Sequence, residues 1–513
     1  MKRVLALLLL LSAFPAFAGT VSGVVFEDAN GNGLRDGGEP GIAGVKLSNG
    51  RAIVRSGADG SYAIDAAAGD IVFAIKPAGR DFGVRANLLP AFWHAAADGP
   101  RFDVALSAPR TPSGPLEVLL FTDPQVASPD DVNAYFVDIV EPILGTSAAL
   151  GLTMGDIVDD DLSLYPAINE APAALDVPGL HIAGNHDLDA GATGDDDALA
   201  TFRRTYGPDT VAWEEPQASF IGLDDVIATP GRRPAYVGGL RDDQFAFLEA
   251  YLPTVPKDRL LVVGVHIPFF DTAAPGGAPT FRPADRERLF ALLRDFPDVL
   301  LLSGHTHVQQ HVFHGPADGW HGATPLHEYN LGAACGAFWS GVADAAGVPD
   351  ATMADGTPNG YARLEVGQGG EYALYWHNAR DPADATIGLH APKVLRRGAY
   401  PAWGVYANVY MGFEGRGMDD TLVEYRVDDG EWKPMRKVLR PDPRLVVENV
   451  RDDLATELRG YDRSPEAEPS THLWRGALPT DLDVGEHVVE VRYTDPWRGG
   501  QHATTTYRLA EPR

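Results

Sequence analysis

Three textures of hydrophobic and polar residues follow one another along the chain. Between residues 19 and 108, short runs such as TVSGVVF, VKLSNGRAIVRS, SYAID and IVFAIKP alternate apolar and polar positions and are split by Gly, Asn and Asp. That alternation predicts strands with one face in a core, here a β-sandwich. SAPRTPSGP at 107–115 reads as a Pro/Ser linker. From 116 to 380 the runs become fully apolar: LEVLLFTD, LLVVGVHIPFF and DVLLLSGH. They alternate with helical patterns such as RDDQFAFLEAYL and PADRERLFALLRDF. Strands apolar on both faces suit burial between helix layers, and the strand–helix–strand order predicts a layered α/β domain. From 383 to 513 alternation returns in WGVYANVYM, TLVEYRVDDGEW, HVVEVRYTD and TTTYRLA, which predicts a second β-sandwich.

The length of 513 residues fits about three such domains, and a hydrophobic content of 45% is enough for globular cores. The formal net charge of −29 argues against general binding to nucleic acid or to an anionic membrane. Residues 1–18, MKRVLALLLLLSAFPAFA, have a basic start, an apolar stretch and a small-x-small end. They read as a secretory signal, so the protein is expected to be exported, periplasmic or secreted. No other run reaches the roughly 18 apolar residues of a membrane span, so no transmembrane anchor is expected. Cys335 is the single cysteine, which excludes an internal disulfide. Nothing around it suggests an activated thiolate, so it reads as a small buried side chain.

Five polar clusters end apolar runs of the central segment: Asp123-x-Gln125, Gly155-Asp156, Gly184-Asn185-His186-Asp187, Val265-His266 and Gly304-His305-Thr306-His307. Ligands of open α/β sheets bind at the carboxyl ends of the strands, so five strands can aim these groups at one crevice. Glycine before the polar residue lets the backbone turn sharply there. The order resembles that of the calcineurin-like metallophosphoesterases: D-x-H, G-D, G-N-H-D/E, H, G-H-x-H. The one departure is Gln125, where the family usually has His. Members with an Asp-Pro-Gln form like this one are known.

The resemblance implies a four-layer αββα core flanked by the two β-sandwich domains. It also implies a site for two divalent ions about 3.5–4 Å apart, which hold the attacking hydroxide and neutralise the phosphoryl oxygens. Carried over position by position, Asp123, Gln125, Asp156 and His307 form the first metal site. Asp156, Asn185, His266 and His305 form the second, with Asp156 as the bridge. His186 then faces the substrate as transition-state stabiliser or general acid, and Asp187 orients its imidazole. Gln125 replaces a nitrogen ligand by an amide oxygen. That shifts the first site away from zinc toward Mn, Fe or Mg. Alternatively Gln125 stands back and binds a metal-held water. The position three residues after Asp156 is Asp159 and not Tyr, so the iron–tyrosinate of purple acid phosphatases is not expected.

Two loops outside the motifs complete the reading. GAACGAFWSG (332–341) and MADGTPNGY (353–361) resemble segments of the phosphoesterase subgroup with flanking β-rich domains. They suggest a substrate rim with Trp339, Asn359 and Tyr361 as contacts, or else a structural loop packed on the sheet. DANGNGLRDGGE fits a calcium loop through Asp28, Asn30, Asn32, the Leu34 carbonyl, Asp36 and Glu39. Without an ion it is a Gly/Asn-rich turn. The C-terminal stretch STHLWRGALPTDLDVGEHVVEVRYTD resembles the last domain of the same subgroup, and its His472 and Trp474 look exposed. The expected function is hydrolysis of a small-molecule or envelope phosphoester, monoester or diester. The alternative is a calcium-dependent envelope-binding protein with a vestigial phosphoesterase core. Oligomeric state is not legible.

Overall fold

A computed structural model describes residues 19–511, apart from 88, 110–113, 275, 381, 401–402, 414–420 and 459–461. The expected secretory signal at 1–18 and part of the expected linker lie outside the described residues. No helix among those described is long and apolar enough to cross a membrane.

The alternating runs near the N-terminus form two four-stranded sheets. In Ser61–Ala66 the period of two is complete, with Tyr62, Ile64 and Ala66 turned inward and the residues between them exposed. One sheet orders its strands 61–66, 19–27, 104–107, 81–82, and the other 53–55, 46–48, 71–74, 93–95.

In the central segment the apolar runs become β1 (Leu116–Phe121), β2 (Leu150–Met154), β3 (Gly179–Ile182), β4 (Thr210–Glu214), β5 (Ala218–Leu223), β6 (Leu260–Gly264), β7 (Val299–Ser303), β8 (Gln310–His314), β9 (Leu326–Asn330), β10 (Gly360–Val366) and β11 (Tyr372–Asn378). They make a five-stranded sheet in the order β3-β2-β1-β10-β11 and a six-stranded sheet in the order β4-β5-β6-β7-β9-β8. β1, β2 and β3 run parallel, as do β5, β6, β7 and β9. Ile182 of the first sheet lies over Gly222 and Gly264 of the second, so the sheets face each other. This explains why β5 and β6 are buried along their whole length. Helices α1 (Pro129–Tyr135) and α2 (Tyr165–Ala173) pack together, and so do α4 (Asp242–Tyr251) and α5 (Pro283–Leu293). The short α3 (Ala200–Tyr206) precedes β4.

The two β-rich ends differ in how they meet this core. The N-terminal sheets share one continuous hydrophobic cluster with the central segment. Phe82 and Phe92 pack on Trp213 of β4, with ring centroids 5.6 and 6.4 Å away. The buried Lys76 ammonium pairs with Glu215 at 2.7 Å. The C-terminal strands form a four-stranded and a five-stranded sheet around a separate cluster that includes Val405, Trp474, Val491 and Tyr507. Helix α6 (Pro443–Leu454) belongs to this end of the chain.

His472 and Trp474, which look exposed in the sequence, are both buried. Trp474 belongs to the C-terminal core, while His472 bonds Asn408 Oδ1 at 2.6 Å and Asp355 Oδ2 at 3.0 Å.

Candidate metal centre

Each motif follows the carboxyl end of a strand: Asp123 after β1, Asp156 after β2, Asn185 after β3, His266 after β6 and His305 after β7. The strand ends of the two sheets meet here, because His266 Nδ1 hydrogen-bonds the Met154 carbonyl at 3.0 Å. Asp123, Gln125, Asp156, His305 and His307 all have positive φ, between 39° and 72°. Non-glycine residues adopt that region at a cost of about 1–3 kcal/mol each, and such strain concentrates at functional sites. The surrounding backbone enforces it. Asp123 N–H donates to Gly155 O at 3.2 Å, Gln125 N–H to Asp156 O at 2.8 Å, and Cys335 N–H to Asp123 O at 3.0 Å. Gly184 and Gly304 are required by close approach, since a Cβ at either would collide with the Asp156 or Asp123 carboxylate.

Asp156, His266 and His305 bring ligand atoms within 4.8 Å of one another, an arrangement that can hold a metal ion. His266 Nε2 lies 3.2 Å from Asp156 Oδ2, 3.1 Å from Asn185 Oδ1 and 3.2 Å from His305 Nδ1. Beside them, His307 Nε2 stands 3.4 Å from Asp123 Oδ1. His307 Nδ1 is turned to the Gly336 carbonyl at 2.9 Å, which fixes the ring orientation. The His305 N–H reaches the Asp123 carboxylate at 3.1 Å and so ties the two halves together. Gln125 is 3% exposed, and its Oε1 has no hydrogen-bond partner although it is buried. A buried acceptor without a partner beside two buried carboxylates fits a cation.

The electrostatics agree. Burial resists protonation of His266, yet the Asp156 and Asp123 carboxylates raise it to about 10. Burial and the neighbouring His266 push His305 down to about 4. The carboxylates therefore draw positive charge onto one imidazole, which is the place a divalent ion would take. Asp225, which the sequence reading did not single out, is buried behind the site and accepts the N–H groups of His266 and Ile267 at 3.1 Å each. Burial pushes its carboxyl up to about 8.

His186 is half-exposed at the mouth, and its partner differs from the expected one. Asp187 does not orient it. That carboxylate is fully buried and accepts Gly184 N–H at 2.8 Å, Ile157 N–H at 3.2 Å and Tyr165 O–H at 3.0 Å. Burial and the Asp156 charge raise it to about 7. The His186 ring instead meets Asp160 Oδ1 at 2.9 Å and Asp159 Oδ1 at 3.2 Å, both through Nδ1. The sequence signal for these two was only their place in the acidic run after Gly155-Asp156.

The expected substrate contacts are also corrected. Trp339 is buried and donates Nε1–H to the Pro124 carbonyl at 2.8 Å. Asn359 is fully buried and donates to Ala334 O at 3.1 Å and Asp138 Oδ2 at 3.2 Å. Tyr361 is buried between Phe121 and His377. All three support the sheet and do not form a rim. The aromatic that does stand open is Phe338. It is 55% exposed at φ 58°, with its ring centroid 4.6 Å from that of His307. Cys335 is buried, its sulfur 3.7 Å from His307 Nδ1.

The acidic N-terminal loop closes on itself. Asp28 accepts Gly31, Asn32 and Gly33 N–H, Asp36 accepts the side-chain amides of Asn30 and Asn32, and Glu39 accepts Ala29 and Asp36 N–H. The Leu34 side chain points to solvent.

Residues 116–309 match the family model described as calcineurin-like phosphoesterase, and residues 328–500 match the C terminal of calcineurin-like phosphoesterase. No curated protein matches the sequence. Among solved structures, purple acid phosphatase PPD1 from yellow lupin (Lupinus luteus) seeds is similar at 12% identity and a TM-score of 0.39, over 66% of this chain and 68% of that one. Phosphopantetheinyl hydrolase (PptH) from Mycobacterium tuberculosis is similar at 12% identity and a TM-score of 0.29, over 43% of this chain and 90% of that one. The motif order, the convergence of its residues and the two family matches together make this chain a member of the calcineurin-like phosphoesterases.

Proposed function

We propose that the protein is an exported metal-dependent phosphoric ester hydrolase with a dinuclear centre, built on a four-layer αββα core between two β-sandwich domains. The observation that carries this is the meeting of Asp156, His266 and His305 beside Asp123, His307 and the unpartnered Gln125 Oε1. Asp123, Gln125, Asp156 and His307 would hold one ion, and Asp156, Asn185, His266 and His305 the other. Bound there, two divalent ions supply Lewis acidity toward the phosphoryl oxygens and a nucleophilic water.

The chain's own residues do the rest. Asp156 would bridge the two ions and so set their spacing. Asp225 holds the His266 backbone, and Gly336 O holds the His307 ring. His186 turns Nδ1 to Asp160 and Asp159, which leaves Nε2 to face the departing oxygen and give it a proton. Phe338 lines the mouth as an apolar surface for the substrate's organic part. The Asp28–Glu39 loop would take calcium as a stabilising ion, and a rise in melting temperature with added calcium that Glu39→Gln abolishes would support it.

The experiment is hydrolysis of aryl phosphate monoesters and diesters by protein loaded with Mn, Mg, Fe or Zn, against chelator-treated protein. Turnover that chelator removes and Asp156→Asn abolishes is expected. Absence of turnover with every metal would overturn the reading.

A further inference from the structure

Gln125 sits where one planar amide can serve two neighbours. Its Nε2 donates to Asp159 Oδ1 at 3.2 Å, and that same carboxylate oxygen lies 3.2 Å from His186 Nδ1, beside the 2.9 Å hydrogen bond that Nδ1 makes with Asp160 Oδ1. The carboxylate oxygen accepts, so the donor end of the amide is fixed on it, and Oε1 must turn the other way. That is the oxygen left buried and unpartnered.

The backbone holds this alignment rigidly. Gln125 N–H donates to Asp156 O at 2.8 Å, Asp159 N–H donates to Val126 O at 3.0 Å, and Val126 pairs with Val158 in a parallel bridge. Gln125 and Asp160, the second carboxylate at His186 Nδ1, are both held at positive φ, 39° and 66°.

We propose that Gln125 is a positioning residue for His186 as well as a donor to the metal centre: its amide nitrogen steadies Asp159, which steadies the imidazole. This rests on the phosphoesterase reading for what His186 does. The side chain at 125 must present an oxygen to a cation and an N–H to a carboxylate at once. Glutamate has the oxygens but no donor, and asparagine is one methylene short. Gln125 would then couple the first metal site to the proton-donating residue.

The test uses Gln125→Glu, which keeps an oxygen for the ion and removes the donor, in full-length protein labelled with ¹⁵N in its histidine rings. The His186 ring signals, identified by their loss in His186→Ala, should shift in Gln125→Glu. Turnover of alkyl phosphoesters, which need a proton on the leaving oxygen, should fall about ten- to a hundredfold in kcat with KM little changed. Nitrophenyl esters, with a better leaving group, should lose less. The double variant Gln125→Glu with Asp159→Asn puts the donor on position 159 and the acceptor on position 125. It should recover part of both the ring signal and the alkyl-ester rate. A wild-type His186 spectrum and unchanged leaving-group dependence in Gln125→Glu would overturn the proposal, and so would a double variant no better than the single one. If the wild-type protein turned over no phosphoester, the phosphoesterase reading would fall while the ring spectra would still decide the Gln125–Asp159–His186 link.

Discussion

His472 of the C-terminal segment and Asp355 of the central segment form a buried pair, Nε2 to Oδ2 at 3.0 Å. The same Asp355 oxygen accepts the backbone N–H of Gln309 at 2.9 Å, two residues beyond His307. The last domain thus reaches the loop that carries two expected metal ligands. His472→Ala would leave the buried Asp355 carboxylate with only the Gln309 and Thr357 backbone N–H groups, at a cost of about 3 kcal/mol in unfolding free energy. Denaturant midpoints give that value directly. Calorimetric metal titration should also show weaker binding, about tenfold, because an outer contact of the His307 loop is lost.

Asp156, proposed as the bridge between the two ions, is expected to be the most sensitive point of the site. Asp156→Asn should lower the bound metal from two ions per chain and cut turnover by more than the roughly hundredfold typical of outer-shell changes. Gly184→Ala should act in the same direction with every ligand side chain retained, since its methyl group would push Asp156 out of place. Metal analysis of the purified variants decides both.

Phe338 is expected to set preference for the organic group of the substrate. Removing an aromatic contact costs about 0.5–1.5 kcal/mol. Phe338→Ala should therefore raise KM for aryl esters about two- to tenfold while kcat and the KM for alkyl esters stay nearly constant. Equal changes for both ester classes would count against a contact with the ring.

Acid should weaken the central segment near its contact with the C-terminal segment, where the His311 ring lies 5.0 Å from Phe413 and 5.8 Å from Trp497. His311 and His327 are buried together, with Nδ1 of the first 2.9 Å from Nε2 of the second, and His327 Nδ1 meets Tyr372 Oη at 2.7 Å. Burial and the neighbouring His314 push His327 down to about 3, and burial with His327 and His472 pushes His311 well below the usual imidazole value. In the unfolded chain both take up protons near pH 6.5. Between about 6.5 and 3 the unfolded state therefore binds more protons, and stability is lost as pH falls through that window. The slope is up to about 1.4 kcal/mol per pH unit for each group. Urea midpoints at pH 5 and 7.5 should differ accordingly, and His327→Gln should reduce the difference.

The motif residues could be read in the sequence because each follows an apolar run with a glycine or a polar break beside it. Strand ends then do the rest, as with His266 after β6 and His305 after β7. What could not be read depends on contacts across long stretches of chain or on backbone angles. Asp160 reaches His186 only because its φ is 66°. Asp355 and His472 lie 117 residues apart and meet through two turns. Trp339, Asn359 and Tyr361 have the composition of a rim, but their Gly-rich stretch runs back under β1, where Cys335 N–H bonds Asp123 O. Phe338 alone is left facing out.

The shared core at the N-terminal end decides how the protein can be handled. Chain cut at the linker before residue 116 would lose Phe82, Phe92 and Lys76 together, baring the Trp213 ring to water and taking away the ammonium that neutralises Glu215. An expression start chosen from the sequence boundary alone would expose that apolar wall and favour aggregation, whereas a start at residue 19 keeps the wall closed.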